Sequence, residues 1–413
     1  MSVPHTVMPS LQFRRDDDFW RPRTKTSDAI RGQNITRAGT HNRQLVLHHI
    51  RAKGPVSRVD LAALTGLTQP AVFKISKDLL EEGLINCTVQ RDGSRGQPSS
   101  FLTINPDAAY AIGLNVDRTH IAFVVLDFGG NVREAVRQEV PCPSPTDVKE
   151  VLAKFYKASL KKYSRRSGDF VGIGLSIPND FAKNTDANFS ILWRAVSLEN
   201  LFTDITSLPV IVEDDAAAAS IGEMVFGAGL DVDTFIYLHI GVGLGAGLVV
   251  NRRHIRGSHG RSGELGYLPR INPFRTSKSV MGKTIEEVVS IDGFLAAFRA
   301  AGLSIQTASD LDFDGPVVQT TLTEWLGAAA DLLYLPLLST MCFVDPDAIF
   351  LGGHLPPFVT EQLSLEITKR LSLNIGANWP ENAVRSGKVV RNAAAVGAGV
   401  IAFREFWDRD LRN

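Results

Sequence analysis

The sequence has 413 residues, 44% of them hydrophobic and 21% charged, with 44 Lys and Arg balanced by 44 Asp and Glu. This length supports two or three domains and a sizeable core. The composition is ordinary for a soluble globular protein, and the zero net charge excludes a nucleic-acid surface spread over the whole molecule, leaving only a local one. Cysteines 87, 142 and 342 are scattered and odd in number. They predict neither a disulfide framework nor a metal cluster, and fit a reducing cytoplasm.

Residues 1–38 are polar and carry charge runs such as Arg14 to Asp18 and Arg21 to Lys25, without apolar periodicity. They read as a disordered tail, and with no uninterrupted apolar core they predict no secretory signal. Residues 39–105 change character. Leu45, Val46, His49 and Ile50 fall at helical spacing up to Gly54-Pro55. Ser57, with Asp60 three residues on, predicts an N-capped second helix that stops at Gly66. Thr68 predicts the cap of a third helix, with Pro70 tolerated in its first turn. Strand-like runs at 84–90 and 100–104 flank a basic, glycine-bearing tip. Helix, turn, helix and two strands in this order predict a winged helix-turn-helix. If Val72, Ile75 and Leu79 face inward, Gln69, Phe73, Lys74 and Lys77 face outward, and Arg95 sits in the wing tip. Gln and Lys suit base edges and phosphates, Phe suits a thymine methyl, and Arg suits a minor groove. The bland alternative is a small protein-interaction module.

From Tyr110 the pattern is α/β. Strands are predicted at 111–116, 120–127 and 132–140, with Gly129-Gly130-Asn131 as a hairpin turn. A helix follows at 146–164, then strands at 170–177 and 208–212 and a helix at 216–226. Beyond them 284–301 and 317–344 read as mainly helical, 347–351 as a strand, and 359–374 and 393–407 as helices. The most apolar long window, 326–344, holds Asp331 and Pro336 and is read as a buried helix rather than a membrane span. Residues 240–267 form two apolar strands around glycines 241, 243, 245 and 247, then a second glycine-rich loop carrying Glu264. Such a turn serves a phosphate cradle or a tightly packed hairpin equally. An opening β-meander followed by alternating strands and helices predicts an α/β, two-lobed, actin-like ATPase (ribonuclease H-like) fold over residues 106–413.

Seven segments in order carry a family resemblance: 42–47 (Asn-Arg-Gln-Leu-Val-Leu), 113–127, 172–175 (Gly-Ile-Gly-Leu), 213–216 (Glu-Asp-Asp-Ala), 240–267, 286–290 (Glu-Glu-Val-Val-Ser) and Gly352-Gly353. With them the chain resembles the ROK family (repressors, open reading frames, kinases), in its repressor branch with an N-terminal winged helix-turn-helix. The resemblance implies the following. The kinases' first phosphate loop, Asp-x-Gly-Gly-Thr-Lys, falls on residues 115–120, where Asp117 and Arg118 replace the glycines. In the second loop Val242 replaces a threonine. Asp215 falls on the kinases' general base, Asp214 replaces an asparagine beside it, and Glu264, Tyr267 and Glu286 complete a set suited to a hydroxyl-rich ligand. The family's zinc cysteines fall on Ser277, Ser279 and Thr284, and its histidine ligand on Tyr267. Zinc takes about four N or S ligands, so no metal is expected, and no other cofactor. The expectation is a cytoplasmic, non-enzymatic regulator, a repressor of carbohydrate genes. It would bind a double-stranded DNA operator as a homodimer or dimer of dimers and answer to a sugar or sugar derivative, with no membrane partner. Two alternatives stand beside it: an active ATP-dependent sugar kinase with a DNA-binding domain appended, and a DNA-binding dimer whose body only assembles subunits.

Overall fold

A computed structural model describes residues 35–90, 99–163, 170–178, 189, 192–193, 196–271, 284–375, 383–389 and 392–409. The first helix, α1 (Ile35–Lys53), begins inside the stretch read as a tail, whose residues 1–34 lie outside the described ones. Short strand β1 (Val56–Ser57) leads to α2 (Arg58–Thr65), capped as the sequence predicts. The Ser57 hydroxyl accepts from Asp60 N at 3.1 Å and donates to Asp60 Oδ2 at 2.7 Å. Gly66 ends α2 in the left-handed region at φ 68°, which a side chain would resist, and its N–H donates to Ala62 O. Helix α3 (Gln69–Glu81) starts at Thr68, whose backbone is in cap geometry but whose hydroxyl makes no cap bond, a departure from the expectation. Strands β2 (Ile85–Gln90) and β3 (Ser99–Ile104) close a sheet of order β1-β3-β2. Val46, Leu47, Ile50, Leu61, Val72, Leu79, Ile85 and Leu102 bury the winged core.

A 3₁₀ turn (Pro106–Ala108) enters the first sheet. Its strands are β4 (Tyr110–Val116), β5 (His120–Asp127), β6 (Val132–Glu139), β7 (Phe170–Ser176) and β8 (Val210–Glu213), in the order β6-β5-β4-β7-β8. The first three form the predicted antiparallel meander; β7 and β8 add in parallel. Both β4 and β5 are buried throughout, which fits helices on both faces. Helix α4 (Pro145–Tyr163) lies among the apolar residues of one face, with Val148, Leu152 and Phe155.

Helix α5 (Asp215–Phe226) crosses to the second sheet, made of β9 (Phe235–Ile240), β10 (Leu244–Val250), β11 (Arg253–His254), β12 (Ala348–Gly353) and β13 (Val384–Ser386), in the order β11-β10-β9-β12-β13. Helices α6 (Ile291–Ala300), α7 (Pro316–Val344) and α8 (Pro357–Ile375) share that sheet's core. The stretch read as helical from 284 to 301 is two pieces: a 3₁₀ turn (Ile285–Glu287), then α6, restarted by the Ser290 hydroxyl accepting from Gly293 N. Helix α7 is long and apolar enough to cross a membrane, yet Trp325, Ala329, Leu333 and Leu337 bury one of its faces in this core.

The last helix, α9 (Ala393–Arg409), lies between the sheets. A Cβ on Gly113 or Gly174 would overlap the carbonyl oxygens of Ala395 and Ala398, so α9 rests backbone-to-backbone on the first sheet. A Cβ on Gly397 would overlap Ala218 O, so α9 and α5 touch in the same way.

The winged unit docks on this body through the end of α1. The Arg51 guanidinium lies over the Phe128 and Phe226 rings, 5.7 and 5.1 Å from their centroids. Lys53 pairs with Asp231 at 2.9 Å. Arg252 donates to the carbonyls of Leu230 and Val232 at 2.9 and 3.2 Å, and its Nη2 lies 3.3 Å from His48 Nδ1.

Candidate functional site

Four strand ends meet in one cleft. The β4–β5 turn brings Asp117 and His120, both buried. It is closed by Asp117 N donating to His120 O, and Asp117 Oδ1 accepts from Arg118 N at 2.6 Å. From the end of β8, Asp214 caps α5 by accepting from Ala216 N and Ala217 N, and Asp215 opens the helix. Strand β9 delivers His239, with Nε2 3.8 Å from Asp215 Oδ2. Strand β12 ends in Gly353 at φ 118°, where a Cβ would overlap Ile240 O. The turn it permits puts His354 Nε2 3.7 Å from Asp117 Oδ2.

Electrostatics follow from this crowding. Burial raises the Asp215 carboxyl well above the usual range, and the charges of Asp214, Asp117 and Glu264 raise it further, against the bond from Ala216 N. Burial lowers His120 and His239 to about 3 and His354 to about 4, so all three rings are neutral at pH 7. Burial likewise raises Glu213, which Arg256 meets at 3.0 Å.

Asp214 and Glu264, from the candidate set, therefore each lie within electrostatic reach of Asp215. Glu286, on the 3₁₀ turn, comes against the glycine loops: a Cβ on Gly243 or Gly266 would sit 3.3 or 2.9 Å from its Oε2. Tyr267 ends the turn that contains Gly266, half-buried. In the first phosphate loop the Asp117 side chain points to His354. Ser277 and Ser279 lie outside the described residues. The sequence reading did not gather the histidines. The available signal was a histidine inside the apolar run Phe235 to Ile240, and another directly after Gly352-Gly353.

On α3, Gln69, Phe73, Lys74 and Lys77 all face solvent, while Val72 and Leu79 are buried. Phe73 is 57% exposed. Arg58, which the sequence reading passed over, lies on the same face. Its guanidinium stacks 5.4 Å from the Phe73 centroid and donates to Ser76 Oγ and Ser100 Oγ. Lys77 pairs with Glu81 at 3.6 Å. Arg95 lies outside the described residues.

Comparison with known proteins bears on both faces. The ROK family profile matches residues 111–405. The xylose repressor of Bacillus subtilis is 28% identical over 376 residues, which span 89% of this chain and 96% of that protein. The glucokinase of Halalkalibacterium halodurans is 28% identical over 269 residues, 59% of this chain and 79% of its own. Among solved structures, a ROK family transcriptional regulator, homolog of the E. coli MLC protein, superposes with TM-score 0.64 at 22% identity, over 91% of this chain and 98% of that one.

Proposed function

The chain belongs to the ROK family, and from that premise we propose that it is a sugar-responsive transcriptional repressor. The observation that carries this reading is the joining of two parts. A helix-turn-helix with an exposed recognition face is docked on a ROK body, and the alignment with a xylose repressor runs through both. Gln69, Phe73, Lys74 and Lys77 would read and hold the operator, with Arg95 from the wing. Two such units in a homodimer would occupy half-sites of a palindrome. Leu335 and Phe343 on α7 and Leu365 and Leu373 on α8 are exposed apolar positions that suit a subunit contact.

The effector is a sugar or sugar derivative held by Asp214, Asp215, Glu264, Tyr267 and Glu286. Carboxylates accept from the hydroxyls, and a protonated Asp215 can also donate. For the sugar to act as a switch it must bind the DNA-competent and DNA-released states unequally. The protein works in the cytoplasm, where its operator lies.

The test is operator binding by the purified protein, with and without a sugar panel. Sequence-specific binding that one sugar alters by about tenfold or more is expected. Absence of specific DNA binding refutes the reading. A second reading, an active sugar kinase, is favoured by Asp215 at the general-base position with a raised pKa. Against it, Asp117 and Arg118 fill the first phosphate loop, and a buried carboxylate there repels phosphate. Sugar-dependent ADP release, abolished by Asp215→Asn, would establish the kinase instead.

A further inference from the structure

The altered first phosphate loop contributes two members of a polar cluster that the proposed sugar contacts do not include. Asp117, His120 and His354 each offer one ligand atom, all within 4.8 Å of one another. The Asp117 and His120 side chains are buried. The rings of His120 and His354 meet edge-on at 5.1 Å, and His239 stands 5.7 Å from His354.

These groups do not satisfy one another. The His354 Nε2–Asp117 Oδ2 separation of 3.7 Å is too long for a hydrogen bond. His239 Nδ1 is buried without a hydrogen-bond partner. Unsatisfied buried polar atoms are costly unless something binds them. The second atom of two of the three groups is already committed: Asp117 Oδ1 accepts from Arg118 N, and His120 Nδ1 lies 3.1 Å from Thr119 Oγ1. That leaves Asp117 Oδ2, His120 Nε2 and the His354 ring as the available ligand atoms, with outer contacts on the first two of the kind that orient metal ligands.

We propose that Asp117, His120 and His354 form a binding site for a divalent transition-metal ion, with one coordination position open to the cleft beside Asp215 and His239. Two imidazoles and one carboxylate are the donor set of zinc, cobalt, nickel or ferrous iron, not of magnesium or calcium, which take oxygen ligands. Bonds of about 2.0–2.1 Å in a tetrahedron place ligand atoms about 3.3 Å apart. The 3.7 Å pair is close to that edge, and all three ligand atoms lie within 4.8 Å of one another. The site is separate from the serine- and threonine-substituted positions of the family's zinc motif, and it stands whether or not the cleft takes a sugar.

The test uses the full-length, untagged chain, stripped with a chelator and titrated with Zn²⁺ by calorimetry and with Co²⁺ by visible absorption. The expected result is one tightly held ion per chain and Co²⁺ bands of a four- or five-coordinate site. His354→Gln and His120→Ala are each expected to weaken binding by about 100-fold, and exposed His41→Ala to leave it unchanged. Circular dichroism confirms that each variant is folded, and His354→Gln serves if His120→Ala is not. No stoichiometric binding, or a bound ion indifferent to His354→Gln, overturns the proposal.

Discussion

His48 sits where the DNA-binding unit meets the body, and its protonation should loosen that joint. Burial, then the positive charges of Arg252, His49 and Arg51, lower its pKa from 6.5 to about 4, with Asp231 opposing. The ring is thus neutral at pH 7, and its Nδ1 can accept from Arg252 Nη2 at 3.3 Å. A histidine with a depressed folded pKa contributes stability that is full above the unfolded value. That contribution is lost as pH falls from about 6.5 to about 4. Each pKa unit is worth about 1.4 kcal/mol, so a ring sealed from water would lose about 3 kcal/mol across the window. His48 is only partly buried, and solvent screening reduces this to about 1 kcal/mol. The perturbation is His48→Gln, which keeps an acceptor for Arg252 and cannot gain charge. Urea unfolding followed by circular dichroism at pH 7 and pH 5 gives the wild-type change and the variant change. Their difference isolates His48 from the cleft histidines, which titrate in both proteins. Between pH 7 and pH 5, about half of the window, the wild type should lose about 0.5 kcal/mol more than the variant. An equal loss in both refutes the reasoning.

Four further outcomes follow from other parts of the fold. The raised Asp215 pKa means that the ionised form is disfavoured on folding, so its contribution is best below about pH 3.8 and is lost as pH rises through the elevated folded value. Asp215→Asn should therefore raise stability at pH 7 by about 1–2 kcal/mol and flatten the pH dependence in urea titrations. Gly174→Ala drives a Cβ into Ala398 O and should cost about 3 kcal/mol or more, seen as lost soluble yield or a lowered unfolding midpoint. Gly39→Ala, in open space on α1, should be neutral or better. Lys77→Ala should leave stability nearly unchanged, since its pair with Glu81 is exposed. It should weaken binding to all DNA alike and reduce the salt slope by about 1.

The sequence reveals local features and not remote partnerships. The Ser57–Asp60 cap, the glycine stop at Gly66 and the β4–β5–β6 meander were legible because each is decided by neighbouring residues. The strand β1 was not, because two residues carry no period and it exists only by pairing with Leu102 and Phe101. The cleft histidines come from positions 120, 239 and 354, and only the closing of two sheets makes them neighbours. The carboxylates Asp214, Asp215, Glu264 and Glu286 were found through a family pattern, which knows contacts that periodicity does not. Arg51 and Arg252 were invisible for a different reason. Their partners are aromatic faces and backbone carbonyls, which leave no complementary charge in the sequence.

The contact of α5 and α9 has a mechanical consequence. Where long side chains interdigitate, ridges and grooves fix a crossing angle. At Gly397 and Ala218 the helices meet on bare backbone, which offers few ridges to disengage as the angle changes. With Gly222 also against Gly397, the contact is centred near the middle of α5, a rod of 12 residues and about 18 Å. One tip of the rod carries Asp214 and Asp215, and the other carries Phe226 beneath Arg51. A turn of about 5° about the crossing moves each tip by about 0.8 Å, in opposite directions. The helix is a first-class lever whose fulcrum is a glycine.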